Sequence, residues 1–309
     1  MTHRLRHLIS LQDLDRDCIV RLLDRAEAMR EASRHGTRKL DLLAGRTILN
    51  LFFEPSTRTR TSFELAARRL GADVVNFDIA HSSTNKGESL LDTLHTLEAM
   101  HLDVVVVRHK EAGTPAFMVQ HAMSAVAVVN AGDGEHAHPT QGLIDALTIR
   151  QHHAELDGLT VAICGDVLHS RVARSDIHAL TALGVRELRL CGPAALLPPP
   201  DAFPSCRFVD DFDAAIEGVD AIIMLRLQKE RMAATELPDE AAYFRRYGLD
   251  AARLARAAKG CLVMHPGPIN RGIEIAADVA DGAQSRILEQ VGNGVFVRMA
   301  VLAEVTGVR

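Results

Sequence analysis

Short apolar runs alternate with longer segments of helical spacing along almost the whole chain. Most of these runs are rich in valine, isoleucine or leucine without regular polar alternation, which is typical of parallel strands buried on both faces. The pattern predicts strands over residues 47–53, 73–77, 103–107, 125–130, 159–164, 187–191, 221–225 and 261–264. It predicts helices over residues 56–70, 88–100, 115–123, 139–153, 171–183, 211–217, 250–258 and 287–305. Strands that alternate with helices in this way are characteristic of parallel α/β sheets.

The alternation falls into two successive series, and each series predicts a domain of its own. A length of 309 residues also fits two domains, at roughly 150 residues each. We therefore predict the α/β class with two open parallel-sheet βα domains, the first over residues 1–139 plus 290–309 and the second over 140–289. The C-terminal helix is expected to pack back on the first domain. In each sheet, ligand-binding loops are expected beyond the carboxyl ends of the strands.

Composition excludes several classes of function. The formal net charge is −5 and only 4% of residues are aromatic, so we expect no nucleic-acid surface and no base-stacking platform. The apolar runs are too short to span a membrane. Five widely spaced cysteines without a C-x-x-C pair favour reduced thiols in a cytoplasmic protein. The histidines form no metal-binding pair, and we expect neither a metal nor another cofactor.

Arginine dominates the basic residues. Of the 35 lysines and arginines, lysine accounts for only five, and the rest are arginine. Codon bias explains most of this excess. However, the guanidinium fork also matches the geometry of carboxylate and phosphate groups. Arginines that directly follow predicted strands are therefore candidates for binding an anion.

One stretch after the first predicted strand carries the clearest chemistry, F-F-E-P-S-T-R-T-R-T-S-F-E over residues 52–64. A helix N-terminus offers unpaired N–H groups and the positive end of the helix dipole, which suits a phosphate. Ser56, Thr57 and Thr59 add hydroxyl donors, and Arg58 adds a charged fork. The stretch lacks the glycines and lysine of a P-loop. For an isolated S-T-R string, a simple helix cap with solvent-facing arginines would be the better interpretation.

Two further segments place polar side chains beyond strands of the first domain. Arg108 follows the predicted strand 103–107, and H-P-T-Q over residues 138–141 follows a glycine-containing turn. Near the start of a helix, the His138 imidazole and the Gln141 carboxamide are able to polarise a carbonyl group. A solvated strand end and a structural histidine are the alternatives when each residue is taken alone.

These strings, in this order, resemble the aspartate/ornithine carbamoyltransferase family over nearly the whole chain. The resemblance implies that residues 56–59 wrap the phosphate of carbamoyl phosphate. It also implies that Arg108 contacts the phosphate and the carbonyl oxygen, and that His138 and Gln141 surround the carbamoyl group. Arg58, Thr59, Arg108 and His138 would then stabilise the charge that develops during transfer.

The string H-S-S-T-N-K-G-E-S over residues 81–89 resembles the loop that this family inserts into a neighbouring subunit's site. The resemblance implies a homotrimer with shared sites, in which Ser82 and Lys86 are donors to the adjacent site. Lys86 would also contact the acceptor amino acid and take part in catalysis. A regulatory chain or a dihydroorotase is a possible further partner.

Two arginines follow strands of the second domain. Arg171 comes shortly after the Gly165-Asp166 end of one strand, and Arg226 comes directly after strand 221–225. Each alone could be a surface arginine. Together they match the aspartate-binding residues of the family, with Gln228 as the corresponding amide contact.

The loop H-P-G-P-I-N-R-G over residues 265–272 distinguishes the two branches of the family. Ornithine enzymes carry a cysteine-containing H-C-L-P string here, whereas this string resembles the aspartate branch. Gly267 and Pro268 would contact the incoming amine through backbone carbonyls, although some relatives have a bulkier residue at position 267. Lys86 in the earlier loop also favours aspartate.

The resemblance implies that carbamoyl phosphate binds first and that the amine of L-aspartate then attacks its carbonyl carbon. The products would be N-carbamoyl-L-aspartate, a pyrimidine precursor, and phosphate, which accepts the amine proton. Glu54 resembles a family residue that pairs with second-domain arginines on closure, here Arg171 or Arg231. A carboxylate that simply favours a helix start is the alternative for Glu54.

Three other functions stay open from the residues. The acceptor could be another amino acid, such as ornithine or an acetylated derivative. The chain could be a silent scaffold, although it retains the phosphate-binding residues. Two α/β sheets are also compatible with a dinucleotide-binding dehydrogenase, but no G-x-G-x-x-G string follows any predicted strand.

Overall fold

The computed structural model of the chain describes residues 5–36, 39–77, 89–123, 125–228 and 239–308. It divides into two compact units, unit 1 comprising Met1–Ile144 with Gly292–Arg309, and unit 2 comprising Asp145–Val291. The first elements are α1 (Arg16–Arg34), β1 (Thr47–Phe52), α2 (Thr57–Arg69), β2 (Asp73–Phe77), α3 (Leu90–Glu98), β3 (Val104–His109), α4 (Thr114–His121), β4 (Ala127–Asp133) and α5 (Pro139–His152). The next are β5 (Thr160–Cys164), α6 (Arg171–Ala182), β6 (Glu187–Cys191), β7 (Cys206–Phe208), α7 (Phe212–Ile216) and β8 (Ala221–Met224). The last are α8 (Glu240–Tyr247), α9 (Ala251–Leu254), β9 (Leu262–Met264), α10 (Ala277–Ala280) and α11 (Ile287–Thr306).

Each unit is built on one parallel sheet, so the predicted α/β class is confirmed. The strand order is β2-β1-β3-β4 in unit 1 and β7-β6-β5-β8-β9 in unit 2. The strands β3, β5 and β8 are buried almost throughout, because helices cover both faces of a parallel sheet. Within each parallel sheet, the carboxyl ends of the strands lie at the same edge. The predicted binding residues follow the strands at this edge.

The predicted packing of the C-terminal helix on the first domain is also confirmed. Residues from 292 onward in α11 belong to unit 1, and Val301 and Leu302 are fully buried. The Arg298 guanidinium carbon lies 4.9 Å from the centre of the Phe63 ring of α2. Ile287, by contrast, belongs to the core of unit 2.

The hydrophobic pattern left out four of these elements and made one too long. The omitted elements are α1, β7, α8 and α10. The helix predicted over 250–258 was wrong beyond Leu254, where α9 ends. There the backbone bonds to the turn before β8 instead of continuing the helix. The Ala258 N–H donates to the Val219 carbonyl at 3.0 Å, and the Arg256 carbonyl accepts from the Gly218 N–H at 3.0 Å.

Among the helices of the described ranges, none is both long and apolar enough to cross a membrane.

Candidate active site

The phosphate-binding string forms the first turn of α2, at the carboxyl end of β1. Ser56 is the N-cap residue, but its side chain makes no capping hydrogen bond, and the first turn contains no acidic residue. Thr57 and Arg58 are exposed, Ser56 is half-buried and Thr59 is buried. A helix start without an acidic side chain keeps its positive dipole end available to an anion. The structure therefore brings these four residues together on one helix turn.

Arg108 lies beside this turn, at the end of the neighbouring strand β3. Its register partner on β1 is Phe52, and only 10% of its side chain is exposed. One Nη donates to Glu54 Oε1 at 2.8 Å, and the other donates to the Ala131 carbonyl at 3.3 Å. The guanidinium is thus held by an acidic side chain on one side and by the β4 backbone on the other.

Glu54 therefore pairs with an arginine of its own unit in this structure. Its pairing with second-domain arginines on closure stays a prediction, and the candidate partner Arg231 lies outside the described residues. The loop residues Ser82 and Lys86 also lie outside the described residues.

His109, next to Arg108, favours the neutral form of its imidazole ring. Its Nδ1 accepts a hydrogen bond from the Glu111 N–H at 3.0 Å and lies 3.0 Å from Thr114 Oγ1. Its ring packs edge-on against Phe53, with centroids 4.9 Å apart. Burial lowers the pKa of His109, so the ring is neutral at neutral pH and adds no second cation beside Arg108.

The H-P-T-Q string begins α5, just after β4. His138 is buried and Gln141 is half-buried. The order β2-β1-β3-β4 makes β3 the neighbour of both β1 and β4, so the start of α2, Arg108 and His138 follow three adjacent strands. The predicted carbamoyl phosphate residues of the described ranges are thus at one edge of one sheet.

A buried acidic residue organises the loops of that edge. Asp133 ends β4 with a fully buried side chain, and it accepts hydrogen bonds from the Gly113 and Ala137 backbone N–H groups at 2.9 and 3.1 Å. The sequence analysis did not single it out. It stands between two glycines beyond the predicted strand 125–130, and that position alone does not mark an acceptor for backbone N–H groups.

The arginines of unit 2 follow two adjacent strands, β5 and β8. Arg171 is the first residue of α6 and is buried. Its carbonyl accepts a hydrogen bond from Ser175 Oγ at 3.0 Å, and the N-cap Ser170 accepts from the Ala173 N–H at 3.1 Å. Arg226 is half-buried just after β8. The two guanidinium groups thus belong to neighbouring loops at the carboxyl edge of this sheet.

A second buried carboxylate ties those two loops together, and sequence reasoning missed its role. Asp166 Oδ1 lies 2.8 Å from His169 Nδ1, and Asp166 Oδ2 accepts from the Gln228 N–H at 3.2 Å. The Gln228 carboxamide in turn donates to the His169 carbonyl at 2.9 Å. The loop after β8 is therefore hydrogen-bonded to the loop after β5.

The loop over residues 265–272 is fixed by a buried pair. His265 Nδ1 accepts from the Gly267 N–H at 2.8 Å, which leaves the proton on Nε2, 3.1 Å from Glu274 Oε1. The same Glu274 oxygen accepts from the Asn270 N–H at 2.5 Å. Gly267 has φ +69°, a left-handed conformation that glycine adopts without a Cβ penalty. The positive φ explains why glycine stands at position 267, where some relatives have a bulkier residue. Glu274 is a further residue that the sequence analysis missed.

The amino side of this loop rests on a chain of buried polar groups. Gln290 accepts from the His265 N–H at 2.9 Å and donates to Asp145 Oδ1 at 2.7 Å. Complete burial raises the pKa of the neighbouring Asp176 well above its usual value, and the Asp145 carboxyl group raises it further. The protonated form of Asp176 is therefore favoured, which reduces the repulsion between two adjacent buried carboxyl groups.

Within the part of the chain that the structure describes, no group of three or more His, Cys, Asp or Glu side chains is placed to hold a metal ion.

Two domain models of one protein family match successive parts of the chain. The carbamoyl-P binding domain of aspartate/ornithine carbamoyltransferase matches residues 6–151, and the Asp/Orn binding domain of the same family matches residues 157–305. The aspartate carbamoyltransferase catalytic subunit of Gluconobacter oxydans is 56% identical over 305 residues, covering 98% of this chain and 96% of that protein. Its counterpart in Stenotrophomonas maltophilia is 54% identical over 307 residues, covering 98% and 97%.

Solved structures of both branches share the fold. Ornithine carbamoyltransferase from Pyrococcus furiosus is similar with a TM-score of 0.89 at 27% identity, covering 98% of this chain and 97% of that one. Aspartate transcarbamoylase from Trypanosoma cruzi, in complex with carbamoyl aspartate and phosphate, is similar with a TM-score of 0.86 at 34% identity, covering 96% and 94%. Backbone similarity therefore does not separate the two acceptors, whereas sequence identity favours aspartate.

Proposed function

The chain belongs to the aspartate/ornithine carbamoyltransferase family, and from this premise we propose that it transfers the carbamoyl group of carbamoyl phosphate to the amine of L-aspartate. The products are N-carbamoyl-L-aspartate and phosphate. The observation that carries the choice of aspartate is high identity over nearly the full chain to catalytic subunits of that name. The loop over residues 265–272, which has no cysteine, supports the same choice.

The first half of the mechanism belongs to unit 1. Ser56, Thr57, Arg58 and Thr59 bind the phosphate at the start of α2, where backbone N–H groups and the helix dipole favour an anion. Arg108 bridges the phosphate and the carbonyl oxygen from the adjacent strand. This assignment is supported by the ion pair with Glu54, which holds the guanidinium at the same edge.

His138 and Gln141 act on the carbamoyl group itself. Attack on the carbonyl carbon places additional negative charge on its oxygen, and donors aimed at that oxygen in advance lower the barrier. His138, buried at the start of α5, is able to donate there together with Arg108 and Thr59. The departing phosphate accepts the amine proton, so no separate general base is required.

Unit 2 binds the acceptor amino acid, L-aspartate. Arg171 and Arg226 bind the two carboxylates of aspartate, since each guanidinium can form two parallel hydrogen bonds with a carboxylate. Gln228 contributes an amide contact, and the backbone carbonyls of Gly267 and Pro268 receive the amine. The hydrogen bonds that join the loops after β5 and β8 support this assignment, because they fix one arginine loop against the other.

We further propose a homotrimer with shared sites, in which Ser82 and Lys86 of one chain reach the site of the next. Leu65 on α2 and Val75 on the outer strand β2 are 42% and 45% exposed, which is consistent with an apolar contact at this side of unit 1. We also propose that the reaction is an early step of pyrimidine biosynthesis and that the protein acts in the cytoplasm. Glu54 stays a candidate for closure between domains.

A panel of amines tests the proposed reaction. With carbamoyl phosphate present, we expect L-aspartate to support phosphate release, and L-ornithine and N-acetyl-L-ornithine to give less than about 1% of that rate, because they lack a second carboxylate at the required position. Phosphate release is measured for each amine, and reactions without amine correct for spontaneous breakdown. Release with ornithine alone would reject the aspartate assignment.

The solution mass of the same active preparation tests the trimer. We expect the mass of three chains, because Lys86 is required from a neighbour. A monomer with full activity would contradict shared sites.

A further inference from the structure

A buried carboxylate without a substrate role in the mechanism above lies where two loops of the unit 1 site meet. Asp133 Oδ1 accepts from Asn130 Nδ2 at 2.7 Å and from the Ala137 N–H at 3.1 Å. Asp133 Oδ2 accepts from the Gly113 N–H at 2.9 Å and lies 3.1 Å from His136 Nδ1. We propose that Asp133 is a positioning residue for carbamoyl transfer, acting through His138. The inference rests on the proposed function.

The first step of the argument is a local break in the sheet. Val107 pairs with Asn130, but His109 pairs with Asp133, so β4 contains one more residue than β3 over this stretch. The Asn130 side chain fills the break, because its Oδ1 accepts from the Gly132 N–H at 2.7 Å and its Nδ2 donates to the Ile9 carbonyl at 2.8 Å. An extra residue of this kind bends a strand and redirects the side chains that follow it.

The second step is the closed turn that leads to His138. The Asp133 N–H donates to the Ala137 carbonyl at 3.1 Å, and the His136 N–H donates to the Asp133 carbonyl at 3.0 Å. Together with the bond from the Ala137 N–H to the carboxylate, these contacts fix the five residues from 133 to 137. Ala137 directly precedes His138. The Asp133 carboxylate therefore holds the residue next to the group that is proposed to polarise the carbamoyl carbonyl.

The third step is the link to the loop that follows β3, the strand that carries Arg108. Gly113 is the N-cap residue of α4, and its N–H bonds to Asp133. Gly134, which follows Asp133, donates its N–H to the His109 carbonyl at 3.0 Å. A Cβ at Gly134 would lie 2.8 Å from the Ala112 nitrogen. The turn is therefore in close contact with the loop after β3. One carboxylate sets the spacing between the loop after Arg108 and the turn before His138.

A carboxylate suits this arrangement, since Oδ1 accepts from two N–H groups and Oδ2 accepts from the Gly113 N–H. In Asp133→Asn the shape is kept, but one oxygen becomes an NH₂ group that points at one or more N–H donors. The turn must then shift, and a displacement of about 1 Å at a reacting group costs on the order of 100-fold in rate. The phosphate contacts of α2 follow β1, which β3 separates from β4 in the sheet, so phosphate affinity should change little.

Steady-state kinetics of Asp133→Asn test the proposal. We expect kcat to fall about 10- to 100-fold, while the inhibition constant of inorganic phosphate changes less than about threefold. Asp103→Asn is the matched control. Asp103 also ties strands of this sheet, accepting from the Thr47 N–H at 2.9 Å and pairing with Arg46 at 2.6 Å, but at the amino ends of the strands. Both variants should lower Tm, and only Asp133→Asn should lower kcat.

A double-mutant cycle tests whether Asp133 acts through His138. In a His138→Ala background, Asp133→Asn should lower kcat by less than about threefold, because the group that the turn positions is already gone. If Asp133→Asn does not fold, His136→Ala removes only the half-exposed imidazole beside Asp133 Oδ2. It should lower kcat about threefold at unchanged Tm.

The outcomes separate this inference from the proposed function. An active wild-type chain whose kcat is the same in Asp133→Asn and Asp103→Asn would overturn the positioning role alone. The same holds if the Asp133→Asn and His138→Ala effects multiply in full, or if a non-folding Asp133→Asn is accompanied by unchanged kcat in His136→Ala. A wild-type chain that releases no phosphate with aspartate would overturn the proposed function and this role with it.

Discussion

Replacing Arg108 with alanine is expected to lower kcat by about 1000-fold. The guanidinium is proposed to contact both the leaving phosphate and the carbonyl oxygen, and loss of a single donor at such an oxygen costs about 100- to 1000-fold. With only 10% of the side chain exposed, solvent has little room to replace the lost charge at that position. Phosphate release at saturating concentrations of both substrates measures the effect.

Two control variants separate this role from charge and from strand stability. Arg108→Lys keeps the charge without the fork, so its kcat should lie between those of the wild type and Arg108→Ala. Arg46→Ala removes an ion-paired arginine at the amino side of the same sheet, and it should leave kcat within about twofold. A loss of less than about fivefold in Arg108→Ala would remove Arg108 from the reaction.

Replacing Arg171 with alanine is expected to raise the KM for aspartate by at least about 100-fold. Hydrogen bonds to a charged group contribute about 1.5–3 kcal/mol each, and a bidentate contact with a carboxylate loses two of them. Affinity for carbamoyl phosphate should stay the same, because its proposed contacts belong to unit 1. Aspartate saturation curves and direct binding of carbamoyl phosphate provide the two measurements.

Arg186→Ala is the matched control in unit 2. Arg186 donates to Thr160 Oγ1 at 2.8 Å, at the amino end of β5, whereas Arg171 follows its carboxyl end. The control should leave the KM for aspartate unchanged. If Arg171→Ala has the same aspartate saturation curve as the wild type, the acceptor is bound by other residues.

The strands were predictable because burial on both faces leaves an almost unbroken apolar run, as in β3 and β5. The helix α1 was not, although Ile19, Leu22 and Leu23 are buried at helical spacing. It precedes the first strand and so lies outside the βα alternation that guided the prediction. The strand β7 lies at the edge of its sheet with Arg207 exposed, so it lacks the buried apolar run that marks the equally short β9.

The site was predictable where a string of residues carries the chemistry, as at the start of α2. It was not predictable for Asp133, Asp166 and Glu274, which lie behind the residues proposed to touch substrate. Each accepts hydrogen bonds from backbone N–H groups. Because a backbone donor can come from any residue type, no pattern of side chains marks the acceptor in advance.

The placement of α11 determines when all the residues of each unit's core have been synthesised. Unit 2 is a continuous stretch of chain, so all of its residues have been synthesised once Val291 has been added. Unit 1 is different, because its core includes Val301 and Leu302 of α11 and because Arg298 stacks on the ring of Phe63. The half of the protein that is translated first therefore depends for its core on residues that are synthesised after the other half, and α2 packs against Arg298, which is added after all of unit 2.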